Sequence, residues 1–116
     1  MCGRFTLLPS DDDLASFFGL DDLPALKPRY NIAPTQGVAV VRRPPGEGAG
    51  SRHLDLLRWG LVPHWAKDLS IGNRLINARS ETAASKPAFR SAFRERRCLL
   101  PASGFFEWKK EQGGRQ

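Results

Sequence analysis

The chain has 116 residues, a formal net charge of +6 and a hydrophobic fraction of 41%. This length predicts one domain with a modest core, and no apolar run approaches the ~18 residues of a membrane span. The N-terminus lacks a basic-then-apolar secretory signal, which indicates the cytoplasm. Residues 1–50 balance to −1 and residues 51–116 to +7, so the second half should carry a basic surface. Such a surface favours polyanions such as nucleic acid, although it could equally serve solubility alone.

The N-terminal segment predicts a strand followed by a helix. The stretch CGRFTLL is typical of a strand that begins at the very start of the chain. Ser10 precedes three aspartates and Gly19 follows the apolar residues, so we expect a helix capped at both ends. The residues expected to face the core are Leu14, Phe17 and Phe18.

The middle of the first half predicts a loop and then a hairpin. DDLPALKPRYNIAPT contains three prolines and is interpreted as an ordered loop, because proline restricts both itself and the preceding residue. GVAVV predicts a strand, RRPPGEGAGSR a Gly/Pro turn, and LDLLRWG the returning strand.

The second half is less periodic. WGLVPHWAKDLSIGNRLINARSET resembles a binding loop, and KPAFRSAFRERR predicts a short helix with Phe89 and Phe93 one turn apart. RCLLPASGFFEWKK predicts two strands separated by a Pro/Gly turn, and EQGGRQ the tip of a hairpin whose return strand is missing. The expected class is α+β, strand-dominated, with short peripheral helices.

The two cysteines lie in different settings. Cys98 is in the apolar run CLL and is expected to be a small core residue. Cys2 follows the initiator methionine, so removal of Met1 would leave a free α-amine beside a thiol. The α-amine has a pKa of about 7.7–8.0 and is partly nucleophilic at neutral pH. With an aldehyde, this pair closes to a durable thiazolidine ring, although most terminal cysteines are incidental.

Glu107 and Asn77 are further candidates. If GFFEWKK is a strand, Glu107 shares a sheet face with Phe105, which would favour its action as a general acid. The alternative is a solvent-facing carboxylate paired with a neighbouring lysine. Asn77 in INARSET could orient an amine or hold an oxyanion, or it could simply cap a turn.

Basic and aromatic residues suggest contacts with nucleic acid. Guanidinium groups bind phosphate in pairs of hydrogen bonds, and exposed aromatic rings stack on bases. Trp59 is interpreted as a core residue. Neither His53 nor His64 has a partner at ligand spacing, so no metal site is predicted. The candidate contacts are Arg4, Arg74, Arg79 and the arginines of the second helix for phosphate, and Pro34 and Trp65 for bases.

Five blocks in order, MCGRF, RYNIAPTQ, WGLVPHWAKD, INARSET and CLLPASGFFEWKK, resemble the SOS response-associated peptidase (SRAP) family. The resemblance implies a protein of the DNA-damage response. Its mature N-terminal cysteine would crosslink covalently to abasic sites in single-stranded DNA, after autocatalytic removal of the initiator methionine. No cofactor is implied, and the expected location is the cytoplasm, at the nucleoid when bound to DNA.

By the same resemblance, Cys2 matches the nucleophile, Asn77 the residue that positions it, and Glu107 the acid/base. Arg4 and Arg79 match phosphate-contacting arginines, and Pro34 and Trp65 lie in blocks that shape the DNA groove. The family continues to a block with an active-site histidine that does not occur here, so residues 1–116 are expected to be the N-terminal part of one SRAP-like domain. The alternatives are a nucleic-acid-binding module without covalent chemistry and a cysteine peptidase.

Overall fold

The computed structural model describes residues 2–21, 23–44, 46–47 and 50–109. These residues form a strand-rich α+β fold with few short helices, as the sequence predicts. The elements in chain order are β1 (Phe5–Leu7), α1 (Asp11–Phe18), β2 (Arg29–Ile32), β3 (Gly37–Arg42), β4 (His53–Arg58), a 3-10 helix (Leu69–Asn73), α2 (Arg90–Glu95) and β5 (Gly104–Phe105).

Helix α1 has the two caps that the sequence predicts. The Ser10 hydroxyl accepts a hydrogen bond from the Asp13 amide at 3.2 Å, and Gly19 ends the helix with a φ of 67°. Leu14 is buried and Phe18 packs against the core. The expectation for Phe17 is wrong, because its ring rests edge-on against Phe18 outside the core and the residue is 81% exposed.

β1 is the central strand of a three-stranded antiparallel sheet with the order β2-β1-β5. Phe5 lies opposite both Ile32 and Phe105. The prediction of a loop is therefore wrong for Arg29–Ile32, which pairs with β1 as β2. Pro28 and Pro34 flank this strand rather than interrupt it, so they remove no hydrogen bond from the ladder.

Strands β3 and β4 form the predicted antiparallel hairpin. Their register runs from Gly37 opposite Arg58 to Arg42 opposite His53. Four consecutive β3 residues, 38–41, are buried, so both faces of this strand are covered. The buried apolar core of the described residues is formed by Phe5, Leu7, Leu14, Leu20, Ile32, Val38, Ala39, Val40, Val41 and Leu54.

The C-terminal segment has less regular structure than predicted. The first of the two predicted strands is reduced to a bridge between Leu99 and Val41, and the second is the two-residue β5. The core position expected for Cys98 is wrong, because this segment meets β3 through one bridge and leaves Cys98 exposed. The predicted hairpin tip EQGGRQ lies outside the described residues. No helix in the described part of the chain is long and apolar enough to cross a membrane.

Candidate active site and nucleic-acid interface

Cys2 lies just before β1, half-buried, and packs against the hydrophobic core. Its thiol donates a weak hydrogen bond to the backbone carbonyl of Arg4 at 3.5 Å. Because β1 is paired on both sides, the short link to Cys2 starts from a fixed strand rather than from a frayed terminus. Cys2 and Cys98 are both free thiols.

Asn77 holds the backbone of Cys2. Its side-chain amide donates a hydrogen bond to the Cys2 carbonyl oxygen over 2.6 Å, across 75 residues of sequence. The preceding residue, Ile76, accepts a hydrogen bond from the indole N–H of Trp59 at 2.9 Å. Trp59 in turn packs edge-on against Phe5, with ring centroids 5.4 Å apart, which confirms its predicted place at the core. The Cys2–Asn77 hydrogen bond is therefore supported on both sides, by strand β1 after Cys2 and by the Trp59 contact to Ile76 before Asn77.

The segment that delivers Asn77 folds back on itself through two glycines. A Cβ on Gly60, whose φ is 131°, would lie 2.4 Å from the carbonyl oxygen of Gly72. Only glycine fits this approach, since the backbone is too close and the φ is positive. The Arg58 side chain also donates to the amide oxygen of Asn73 at 3.1 Å, at the exposed surface of the same segment.

Arg4 borders a cleft of about 620 Å³, whose lining includes Gly3, the residue that follows Cys2. Its guanidinium donates to the side-chain oxygen of Asn31 at 3.0 Å, and its carbonyl accepts from the Phe106 amide at 2.9 Å. Gly3 and Trp108 complete the lining, and Trp108 is 73% exposed. The cleft therefore combines a guanidinium, an amide and open aromatic faces, the groups that bind phosphates and bases.

Asn31 and Trp108 were not among the residues singled out from the sequence. Both lie in blocks that carry the family resemblance, RYNIAPTQ and CLLPASGFFEWKK. Their position in these blocks is the signal in the sequence that could have identified them. The pairing of β1 with β2 and β5 is what brings the two residues together.

Glu107 differs from the expectation. β5 ends at Phe105, so Glu107 is not on a strand, and it is exposed. It lies between two residues that line the cleft, Phe106 and Trp108, but does not itself belong to the lining. Phe105 is 64% exposed, so the apolar sheet face expected to favour a protonated carboxyl is not formed by these residues.

Trp65 lies on the irregular segment that follows β4. It is 51% exposed and its ring makes an edge contact with His64 at 5.2 Å. The next turn is a 3-10 helix capped by Asp68, whose pKa is lowered by hydrogen bonds from the Ser70 hydroxyl and then the Ser70 backbone N–H. The indole face is therefore available on an ordered turn.

The other predicted DNA contacts lie on turns. Pro34 is half-buried in the turn between β2 and β3, next to Thr35, which has a φ of 73°. Arg74 caps the 3-10 helix and Arg79 opens the turn after Asn77, and both are exposed. Of the candidate residues, Asn77 and the backbone carbonyl of Arg4 form hydrogen bonds with Cys2 in the part of the chain that the structure describes.

A metal centre finds no support in the part of the chain that the structure describes. No group of three or more His, Cys, Asp or Glu residues is placed there to hold a metal ion. The groups that contact Cys2 are the side-chain amide of Asn77 and the backbone carbonyl of Arg4.

Comparison with known proteins places these features in a family. The family model described as SOS response associated peptidase (SRAP) matches residues 1–116. The chain is 46% identical to abasic site processing protein YoqW of Bacillus subtilis over 113 residues, which cover 95% of this chain and 49% of that protein. It is 36% identical to abasic site processing protein YedK of Escherichia coli over 122 residues, covering all of this chain and 51% of that one.

A vertebrate relative also matches. Abasic site processing protein HMCES of Gallus gallus is 35% identical over 98 residues, which cover 78% of this chain and 29% of that protein. The chain spans about half the length of the bacterial relatives that it matches. Because the family model matches from residue 1 to residue 116, the chain belongs to the SOS response associated peptidase (SRAP) family.

Proposed function

We propose that this chain acts in the response to DNA damage by capturing abasic sites in single-stranded DNA through Cys2. The names of its relatives, abasic site processing proteins, support DNA with abasic sites as the target. The proposed place of action is the cytoplasm, on DNA. The single observation that carries the proposal is the hydrogen bond from the Asn77 amide to the Cys2 carbonyl, two residues before Arg4, which borders the cleft.

The proposed chemistry begins with hydrolysis of the Met1–Cys2 peptide bond, which consumes one water and releases the Cys2 α-amine. The amine nitrogen attacks the aldehyde carbon of the ring-opened abasic sugar and forms a C–N bond. Loss of one water gives an imine. The thiol sulfur then adds to the imine carbon while its proton passes to the nitrogen, and a thiazolidine results. Conversion of aldehyde and aminothiol to thiazolidine therefore loses one water.

Each candidate residue has a proposed role in these steps. Asn77 fixes the Cys2 backbone, so that the amine and thiol reach the same carbon from one position. Glu107 transfers protons as the carbonyl oxygen leaves as water. Arg4 and Arg79 bind phosphates, joined by Arg74, while Pro34 and Trp65 contact bases along the strand.

The test is intact-mass spectrometry of the chain, with Cys2 as its first residue, after incubation with a single-stranded oligonucleotide that contains an abasic site. We expect an adduct equal to the chain plus the oligonucleotide minus one water, without any reductant. Cys2→Ser keeps the α-amine but loses the thiol, so its adduct should require borohydride trapping of the imine.

Two controls define the nucleophile. Cys98→Ser should form the adduct as the unsubstituted chain does, because that thiol lacks an adjacent amine. One extra residue ahead of Cys2 should abolish the adduct, because the amine becomes an amide. If the unsubstituted chain binds the oligonucleotide but gains no covalent mass, the capture chemistry is refuted, and a nucleic-acid-binding module without covalent chemistry is the function that remains.

A further inference from the structure

A basic surface separate from the cleft at Arg4 lies near the turn of the β3–β4 hairpin, at the end opposite Trp59. It is a groove of about 580 Å³ between the hairpin end and the segment that follows α2. We call it the arginine groove, and the residues that define it are Arg42, Arg43, Arg52, Arg94, Arg97 and Cys98.

The groove has more positive than negative charge. Its two neighbouring carboxylates are already engaged, since Asp55 binds Arg42 at 2.7 Å and Glu95 binds Arg94 at 3.3 Å. No carboxylate lies within salt-bridge distance of the other three guanidiniums, within the part of the chain that the structure describes. These three are Arg43, Arg52 and Arg97, so an excess of three positive charges faces the groove.

Other contacts hold two of these arginines in place. The Arg52 guanidinium donates to the carbonyl oxygen of Phe18 at 3.2 Å. The Arg97 guanidinium lies 5.4 Å from the centre of the Phe93 ring, within the range of a cation–π contact. Both side chains keep further N–H donors for a ligand, because each guanidinium has five. Their positions are thus partly preorganised for an anion.

The arrangement favours phosphate groups spaced along a chain. Guanidinium binds phosphate with paired, charge-assisted hydrogen bonds, and a single small anion would use only one or two of the arginines. We propose that the arginine groove binds the phosphate backbone of single-stranded nucleic acid as a second contact, separate from the cleft at Arg4. This inference rests on the proposed function only in its choice of nucleic acid as the ligand.

The length of the β3–β4 hairpin sets the scale for one strand of DNA that would contact both sites. The groove begins at Arg42, while Trp59, which supports the Asn77 segment, follows the opposite end of the hairpin at Arg58. Five residue steps along β3 correspond to about 17 Å. At about 3.4 Å per nucleotide of stacked strand, this distance is about five nucleotides. On this scale, we expect a strand held at Cys2 to place phosphates several nucleotides away in the groove.

Cys98 gives a direct test, because it lies in the groove. Although Cys98 is exposed, the neighbouring groove residues partly desolvate its thiol and raise its pKa, and the charge of Arg42 partly offsets the rise. The experiment uses the full chain with Cys2→Ser, so that Cys98 is the only thiol and no thiazolidine can form. The rate of Cys98 alkylation by uncharged iodoacetamide is measured with and without an oligonucleotide that has no abasic site.

We expect the oligonucleotide to slow alkylation about tenfold at a concentration about ten times its Kd, taken from fluorescence anisotropy. In a parallel arm, inorganic pyrophosphate at the same phosphate concentration should protect far less. Arg97→Glu should remove most of the protection. Arg96→Glu is the matched control, because it makes the same charge change one residue away, outside the groove lining. For each variant, the alkylation rate with DNA is divided by the rate without DNA, so any effect of the substitution on the reactivity of Cys98 cancels.

Three outcomes would overturn the proposal. One is DNA binding by anisotropy with no protection of Cys98. Another is equal loss of protection in the Arg97 and Arg96 variants, and a third is equal protection by pyrophosphate. None of these bears on the adduct formed by the chain that retains Cys2, so failure of the groove and failure of the proposed function are separate results. Circular dichroism of each variant checks that it is folded.

Discussion

Replacing Asn77 by alanine should slow capture of an abasic site by a predictable factor. The substitution removes the 2.6 Å hydrogen bond to the Cys2 carbonyl at a partly buried position. A hydrogen bond of this kind contributes a net of about 0.5–1.5 kcal/mol. If Asn77 acts only by positioning Cys2, the equilibrium constant for the positioned state should fall about 2- to 13-fold, and the adduct rate by as much as that factor.

The assay is the initial rate of covalent adduct formation, followed by intact mass at saturating oligonucleotide. A urea denaturation curve for each variant gives the change in the free energy of unfolding, which should be about 0.5–1.5 kcal/mol for Asn77→Ala. Asn77→Asp should be at least as slow as Asn77→Ala, because an ionised carboxylate cannot donate to the Cys2 carbonyl.

Asn73→Ala is the matched control. It removes the same amide from the same segment, where the amide oxygen accepts from Arg58 at the surface, away from Cys2. We expect little change in its adduct rate. The reasoning is refuted if Asn77→Ala reacts at the unsubstituted rate, or if both alanine variants slow the reaction equally. A loss far beyond 13-fold would instead show that the Asn77 amide also acts on the reacting atoms.

Two further predictions concern stability, both measured as free energies of unfolding in urea. Ser10→Ala removes the N-cap of α1 and should cost about 1 kcal/mol, whereas Ser16→Ala, exposed within the same helix, should cost nothing; equal effects would exclude the cap as the cause. Gly60→Ala should cost more than about 1 kcal/mol, because of its positive φ and the 2.4 Å approach to Gly72. Gly37→Ala, with open space around it, is the control, and a neutral Gly60→Ala would contradict the close approach.

Local signals in the sequence were sufficient for several elements. Ser10 and Gly19 bracket α1 because capping depends on residues within one turn of each end. The β3–β4 hairpin follows from two apolar runs separated by a Gly/Pro turn. The strand-rich α+β class follows from the same patterns, since they require only near neighbours along the chain.

Contacts between distant residues were beyond the sequence. The prolines that flank β2 are a local signal, and they predict a loop. The partner strand β1 lies more than twenty residues away along the chain, so the pairing that makes β2 a strand is not visible in the sequence. The exposure of Cys98 depends on a single bridge to β3, which no apolar run reveals. Of the candidate site, residue types at Cys2, Arg4 and Asn77 pointed to the chemistry. The bond that joins Asn77 to Cys2 is visible only in three dimensions.

The central place of β1 has a consequence for the time at which the site is completed. The strand that follows Cys2 is made first, but its hydrogen bond to Gly104 joins residues 98 apart, and the Asn77 bond joins residues 75 apart. At about 5–20 residues per second, a ribosome needs about 4–15 s to add 75 residues. Throughout this interval Cys2 lacks its hydrogen bond from Asn77, and β1 lacks its pairing with β5. We therefore expect the Cys2 backbone to stay open to enzymes that act on nascent chains until Asn77 has been added and can bind it.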